Sequence, residues 1–138
     1  MGVAFRDEPG AFLAQSLASA MHARFYFTEP ATAAPSAGLF TVEYRLPPAL
    51  ARRIHRERVA VVDDVISAGS SARATVAAVR KAGASIAVVA SLLVLGGDGA
   101  AHFAAERTPM ENLGRRAFNL WKPADCPLCQ AGRAIERP

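Results

Sequence analysis

Apolar positions recur along this chain with two alternating periods. Leu13, Ala14, Leu17, Ala18 and Met21 mark one face of a helix at 3.6-residue spacing, and Arg24 to Thr28 (RFYFT) then reads as a strand. Pro30 to Gly38 (PATAAPSAG) is a low-complexity patch with the character of a surface loop. Leu39 to Tyr44 alternates apolar and polar residues like an exposed strand, and Pro47-Pro48 opens a short basic helix to about Ile54. Val59 to Val62 is a continuous apolar run, expected of a strand buried on both faces of a parallel sheet and ending in Asp63-Asp64. Ala72, Val76, Val79 and Gly83 give the next helix, stopped by Lys81 and Gly83, and Ile86 to Leu95 gives another buried strand. A β-loop-α-β crossover makes its two strands parallel, so the fold class is α/β, a mostly parallel sheet flanked by helices. Thr108-Pro109-Met110-Glu111 has the form of a capping box and predicts a last short helix, with Phe118 to Trp121 as a final strand.

At 138 residues, with 51% hydrophobic and 20% charged composition, the chain is the size of one domain, 1–138, and ordinary globular in make-up. No apolar run approaches the roughly 20 residues that cross a bilayer, and Arg6, Asp7 and Glu8 stand where a secretory leader would be apolar. These features predict a cytoplasmic protein without membrane contact. The net charge of +4 gathers in Arg45, Arg52, Arg53, Arg56 and Arg58, a cluster that invites anions. Nucleic acid is disfavoured, because the lysines are only Lys81 and Lys122 and no aromatic residues interleave with the basic ones. Small phosphorylated ligands fit better. Cys126 and Cys129 are half of a four-ligand zinc site and too few for a disulfide framework, so they read as reduced thiols shaping a tight turn around Pro127, zinc shared across a dimer being the alternative. His22, His55 and His102 are scattered and form no ligand or catalytic set.

The candidate chemistry lies in Val59 to Ser71, VAVVDDVISAGSS. In an α/β sheet ligands bind beyond the carboxyl ends of the strands, and here a loop of small residues leads into a helix N-terminus. Backbone N–H groups and the helix dipole favour an anion there, Gly69 permits close approach, and Ser67, Ser70 and Ser71 add hydroxyls. Asp63 and Asp64 would repel a phosphate unless they address another part of the ligand, either neutral hydroxyls or a metal ion. A sugar phosphate meets both demands. The plain alternative is that the acids end a strand and the serines cap a helix.

Two adjacent acids after four apolar residues, then two apolar residues and Ser-Ala-Gly-Ser-Ser, resemble the phosphoribosyl pyrophosphate motif of the type I phosphoribosyltransferases. Ala60 stands where a larger aliphatic residue is commoner. The resemblance implies that Asp63 and Asp64 are the catalytic carboxylates, meeting the ribose 2- and 3-hydroxyls directly or through hydrated Mg²⁺. It implies that Ser67, Ala68, Gly69, Ser70 and Ser71 hold the 5-phosphate. Gly10 to Gln15 is similar to the helix start after the family's pyrophosphate loop, Glu29 to an acid at a strand end, and LFTVEYRLP to an antiparallel flap. Trp121-Lys122-Pro123 and Cys126-Pro127-Leu128-Cys129 resemble the ending of the orotate branch.

The resemblance also sets expectations about what differs. The chain starts almost at the pyrophosphate loop, which implies a domain shortened at its N-terminus, without the usual hood segment and first core strand. The sheet edge so exposed would favour a homodimer. Arg6 and Arg45 are the candidate pyrophosphate contacts, and Arg45, Arg52 or Arg53 would replace the lysines absent from Pro30 to Gly38. Phe12, Tyr26 and Tyr44 are candidates to stack on a base, core packing being the commoner role of such residues. The implied function is transfer of the 5-phosphoribosyl group from phosphoribosyl pyrophosphate to a nucleobase, orotate or a similar pyrimidine. The alternative is a non-catalytic module that binds phosphoribosyl pyrophosphate or a nucleotide.

Overall fold

The structure, a computed structural model, describes residues 2–5, 8–31, 43–119 and 121–133. Five strands, β1 (Gly2–Phe5), β2 (Arg24–Phe27), β5 (Arg58–Ile66), β6 (Ser85–Leu95) and β7 (Met110–Arg116), form one sheet in the order β2-β1-β5-β6-β7, every pair parallel. Two short strands, β3 (Glu29–Pro30) and β4 (Tyr44–Arg45), pair antiparallel beside it; β4 lies in the expected flap, and its partner β3 lies before it, at Glu29 and the start of the expected loop. Residues 39–42 of that flap lie outside the described residues.

Helix α1 (Glu8–Ala20) covers one sheet face, and α2 (Pro48–Ile54), α3 (Ser70–Lys81) and α4 (Asp98–Ala105) contribute to the other. Alternation along β5 explains the division. Ala60 and Val62 meet Ala14 and Ala18 of α1, whose small side chains let the helix lie close. Val59 and Val61 face the larger cluster with Ile54, Val76, Val79, Val89 and Phe103. Each such fully buried aliphatic or aromatic side chain contributes roughly 1.5–3 kcal/mol, so this cluster is the main stabiliser of the β5-α3-β6 unit. α3 stops as its sequence predicts. Gly83 is left-handed at φ 81°, its N–H bonds the Arg80 carbonyl at 2.9 Å, and the Ala84 N–H bonds the Val79 carbonyl at 3.3 Å.

Four expectations are corrected. A first core strand is present: β1 sits between β2 and β5, so no edge is exposed by its loss, and the sheet edges are β2 and β7. Gly2 has no side chain because a Cβ there would overlap the Tyr26 ring across the β1–β2 pair. Thr108 to Glu111 does not start a helix. The Thr108 hydroxyl accepts a hydrogen bond from Arg80 Nη2 at 2.9 Å, its backbone N–H closes the end of α4 on the Phe103 carbonyl, and the chain continues as β7 beside β6. Phe118, Asn119 and Trp121 are not in a strand, since β7 ends level with β6 at the Leu95–Arg116 pair and among the described residues no strand pairs further; Leu120 lies outside the described residues. β5 continues past Asp63-Asp64 to Ile66, because Val65 and Ile66 still pair with Leu93 and Val94.

Around Pro127 the chain makes a one-turn helix, α5 (Pro127–Gln130), after a 3-10 turn at Pro123–Asp125, and both cysteines are free thiols. Among the described residues no helix is long and apolar enough to cross a membrane.

Candidate functional site

The carboxyl end of β5, the turn after it and the first turn of α3 bring Asp63, Asp64 and Ser67 to Ser71 together. Both acids are half-buried, on successive positions of β5 that project to opposite sides of the strand. Each is oriented by the following backbone amide: Asp64 N–H donates to Asp63 Oδ1 at 3.1 Å, and Val65 N–H donates to Asp64 Oδ1 at 2.8 Å.

Gly69 is the residue that turns strand into helix. It is left-handed at φ 79°, a conformation costing other residues about 1–2 kcal/mol, and its carbonyl accepts the first helical bond from Arg73 N–H at 2.8 Å. With glycine at the N-cap no side chain caps α3, and its first turn carries no acid. The amides of that turn have no partner within the helix, which leaves a positive concavity suited to an anion.

The shape of the turn is fixed from outside it. Gly99, at the start of α4, donates its N–H to the Ser67 carbonyl at 3.1 Å. A Cβ on Gly99 would stand 2.7 Å from that carbonyl oxygen and 2.8 Å from Ile66 Cγ2. A Cβ on Gly69 would in turn lie 3.2 Å from Gly99 Cα and 3.7 Å from the Phe103 ring. The two glycines therefore pack backbone against backbone, with Phe103 as a floor. Sequence reasoning missed Gly99, and its only signal was the glycine-rich Gly96-Gly97-Asp98-Gly99 after an apolar strand.

A polar cavity of about 320 Å³ opens beside the loop, lined by Ser67, Gly96, Gly97, Asp98, Asn119 and Trp121, with Leu95 and Phe118. Gly96 shapes its wall: it is left-handed at φ 71°, and a Cβ there would stand 2.8 Å from the Phe118 carbonyl. Apart from Ser67, these residues also escaped the sequence reading, which assigned 118–121 to a strand.

The other candidates are not gathered here. Arg6 lies outside the described residues. Arg45 is exposed on β4 and faces Glu29 across the β3–β4 pair, Nε to Oε2 at 3.9 Å. Arg52 and Arg53 are exposed in the last turn of α2, where cations suit the helix dipole. Of the aromatic candidates for stacking, Tyr26 and Tyr44 are buried and Phe12 is exposed on α1. Among the described residues no three His, Cys, Asp or Glu side chains converge to hold a metal. Either carboxylate alone fits an ion that keeps most of its water and takes further ligands from a bound phosphate, which is how Mg²⁺ is commonly held.

No family model matches the chain. By sequence it is similar to the orotate phosphoribosyltransferase of Thermotoga maritima, 34% identical over 82 residues, which is 59% of this chain and 42% of that protein. The orotate phosphoribosyltransferase of Pelotomaculum thermopropionicum is 40% identical over 82 residues, covering 59% of this chain and 41% of its own length. The match thus spans about two fifths of these curated relatives. By structure the chain is similar to adenine phosphoribosyltransferase from Rhodothermus marinus, with a TM-score of 0.69 and 25% identity over 84% of this chain and 69% of that one. Orotate phosphoribosyltransferase from Aeropyrum pernix superimposes with a TM-score of 0.64 and 18% identity over 83% of this chain and 59% of that one.

Proposed function

We propose that this chain, orotate phosphoribosyltransferase-like in sequence and of the type I phosphoribosyltransferase fold, binds phosphoribosyl pyrophosphate and transfers its 5-phosphoribosyl group to a nucleobase. The observation that carries this reading is the pairing of two carboxylates at the end of β5 with an anion cradle one turn later, held in shape by Gly99. A ligand with hydroxyls at one end and a phosphate a few bonds away suits both. In this reading the 5-phosphate lies on the Ser67-Ala68-Gly69-Ser70-Ser71 amides and hydroxyls, and Asp63 and Asp64 accept hydrogen bonds from the ribose 2- and 3-hydroxyls.

The reaction breaks the C1–oxygen bond to pyrophosphate and forms a C1–nitrogen bond to the base, through a centre with oxocarbenium character. Little covalent help is required, so the protein contributes positioning and charge. Asp63 and Asp64 lie near the developing positive charge on the ribose. Mg²⁺, when bound through one of those carboxylates and the substrate, supplies neutralisation of the leaving pyrophosphate. Arg6 and Arg45 are the candidate cations for the same group. The cavity of about 320 Å³ next to Ser67 is the proposed base pocket, with Phe118 and Trp121 offering stacking surfaces and Asn119 both donor and acceptor. Orotate or a similar pyrimidine is the proposed acceptor, in line with the names of the sequence relatives. A cytoplasmic homodimer is the proposed working form.

The test is calorimetric titration of phosphoribosyl pyrophosphate with Mg²⁺ into the wild type and into Asp63→Asn/Asp64→Asn, followed by pyrophosphate release with orotate and other bases. Wild-type binding lost in the double variant supports the site, and base-dependent pyrophosphate release supports the transferase. Binding without release under any base identifies a non-catalytic binding module. A wild type that does not bind overturns the proposal.

A further inference from the structure

Cys126 and Cys129, the two cysteines of the chain, take no part in the site described above. They lie on one helical turn: Cys126 is the N-cap of α5, and Cys129 is the third residue within it. Positions three apart on a turn are neighbours. The Cys126 sulfur accepts hydrogen bonds from the backbone N–H groups of Cys129 and Leu128, and the thiol of Cys129 also reaches it. The two thiols therefore stand as neighbours on a single helical turn. Gln130 Nε2 donates to the Ala124 carbonyl at 3.0 Å, which ties the turn to the 3-10 segment before it. Cys129 is exposed and Cys126 half-exposed, so both are open to reagents of small size. No third or fourth metal-ligating side chain joins them among the described residues.

We propose that Cys126 and Cys129 form a redox-active dithiol, Cys126 attacking and Cys129 resolving, that closes to an intramolecular disulfide by exchange with a low-molecular-weight disulfide. The thiolate of Cys126 attacks one sulfur of glutathione disulfide, forming a mixed disulfide and expelling one glutathione thiolate. Cys129 then loses its proton to solvent and attacks the Cys126 sulfur, forming the protein disulfide and releasing the second glutathione. Two protein thiols are oxidised by two electrons, and one disulfide is reduced to two thiols. Closure brings the sulfurs to about 2.05 Å, which calls for side-chain rotation and a small relaxation of a one-turn helix.

The roles follow from the asymmetry of the pair. Hydrogen bonds from the Cys129 backbone, helped by the Cys129 thiol and Leu128, hold the Cys126 thiol below its ordinary range. The same partnership pushes Cys129 above it. The thiolate is the nucleophile, so exchange begins at Cys126.

The test incubates the reduced full chain, its Cys126→Ser variant and its Cys129→Ser variant with glutathione disulfide at neutral pH, followed by alkylation and intact-mass measurement. The wild type is expected to lose two hydrogens without accumulating a glutathione adduct. Cys129→Ser is expected to stop at an adduct on Cys126, and Cys126→Ser to react more slowly, since it lacks the thiol at the helix N-cap. Both side chains are surface-accessible, so the variants fold, and circular dichroism checks that they do. The proposal is overturned if the wild type keeps an adduct or two free thiols while Cys129→Ser is modified. It is equally overturned if the two serine variants react at the same rate.

Discussion

Replacing Gly99 by alanine tests whether the candidate anion loop is held by α4. The new methyl would stand 2.7 Å from the Ser67 carbonyl oxygen and 2.8 Å from Ile66 Cγ2, with Gly69 N at 3.5 Å. The first two contacts are far inside van der Waals distance. The carbonyl cannot withdraw freely, because the Gly99 N–H holds it at 3.1 Å, a bond contributing about 1 kcal/mol. Overpacking of this kind costs about 1–3 kcal/mol. Alanine also gains up to about 1 kcal/mol over glycine in a helix, and Gly99 is the second residue of α4. The expected balance is a net loss of about 1–2 kcal/mol in urea unfolding. A control of the same chemistry is Gly114→Ala on β7, where the added methyl meets Leu93 Cδ1 at an ordinary 3.7 Å. Glycine within a strand is itself unfavourable by about 0.5–1 kcal/mol, so this variant is expected to be neutral or slightly stabilised. Folded Gly99→Ala is then expected to bind phosphoribosyl pyrophosphate at least about tenfold more weakly, equivalent to 1.4 kcal/mol or more, because the Ser67 carbonyl and its neighbours must shift. If Gly99→Ala is as stable as the wild type, the close packing of loop on helix is refuted, whatever the affinity shows.

Gly69→Ala forces a Cβ into a left-handed position at φ 79°; an unfolding loss of about 1–2 kcal/mol is expected, and an unchanged urea midpoint would contradict the turn geometry. Phe103→Ala empties the floor beneath Gly69, and for a fully buried ring the expected loss is about 3–5 kcal/mol, read by urea denaturation, with Phe103→Leu markedly milder. Glu106 accepts a hydrogen bond from Arg80 Nη1 at 2.7 Å, and that bond holds its carboxyl below the ordinary carboxylate range. A depressed folded value means the contribution is present above the unfolded carboxylate pKa and lost as pH falls through the folded one. Because the pair is about one-third exposed or more, Glu106→Gln is expected to cost under about 1 kcal/mol at neutral pH and nothing in strong acid, and a gap that persisted in acid would show that the charge is not its origin.

Legibility in the sequence followed how locally each feature is determined. The β5-α3-β6 unit was readable because its strands appear as near-unbroken apolar runs, β5 being buried on both faces from Val59 to Val62, with Gly83 marking the end of α3. Thr108-Pro109 was misleading for a tertiary reason: a hydroxyl that would cap a helix is taken by Arg80, from another element. The same limit applied to β1, whose four residues carry too little pattern to announce a strand and form one only by filling the gap between β2 and β5. Residues 118–121 have strand-like composition, but β6 offers nothing to pair with beyond Leu95. Phe118 instead brings its carbonyl over Gly96, where only the absence of a side chain lets it approach.

The candidate site divides along the same line. Its chemistry, two acids and a small-residue loop, is contiguous and therefore visible in thirteen residues. Its geometry is not contiguous. The loop reaches Gly99, a whole helix and strand further along the chain than Gly69, and the cavity beside it is completed by residues after β7. A chain carrying the same VAVVDDVISAGSS string but a bulkier residue at position 99 would keep the signature and lose the cradle, because the Ser67 carbonyl would have to vacate the position that sets the turn. Sequence signatures of this kind report which groups are offered to a ligand, while the distance between a loop and a distant helix decides whether they are offered in register.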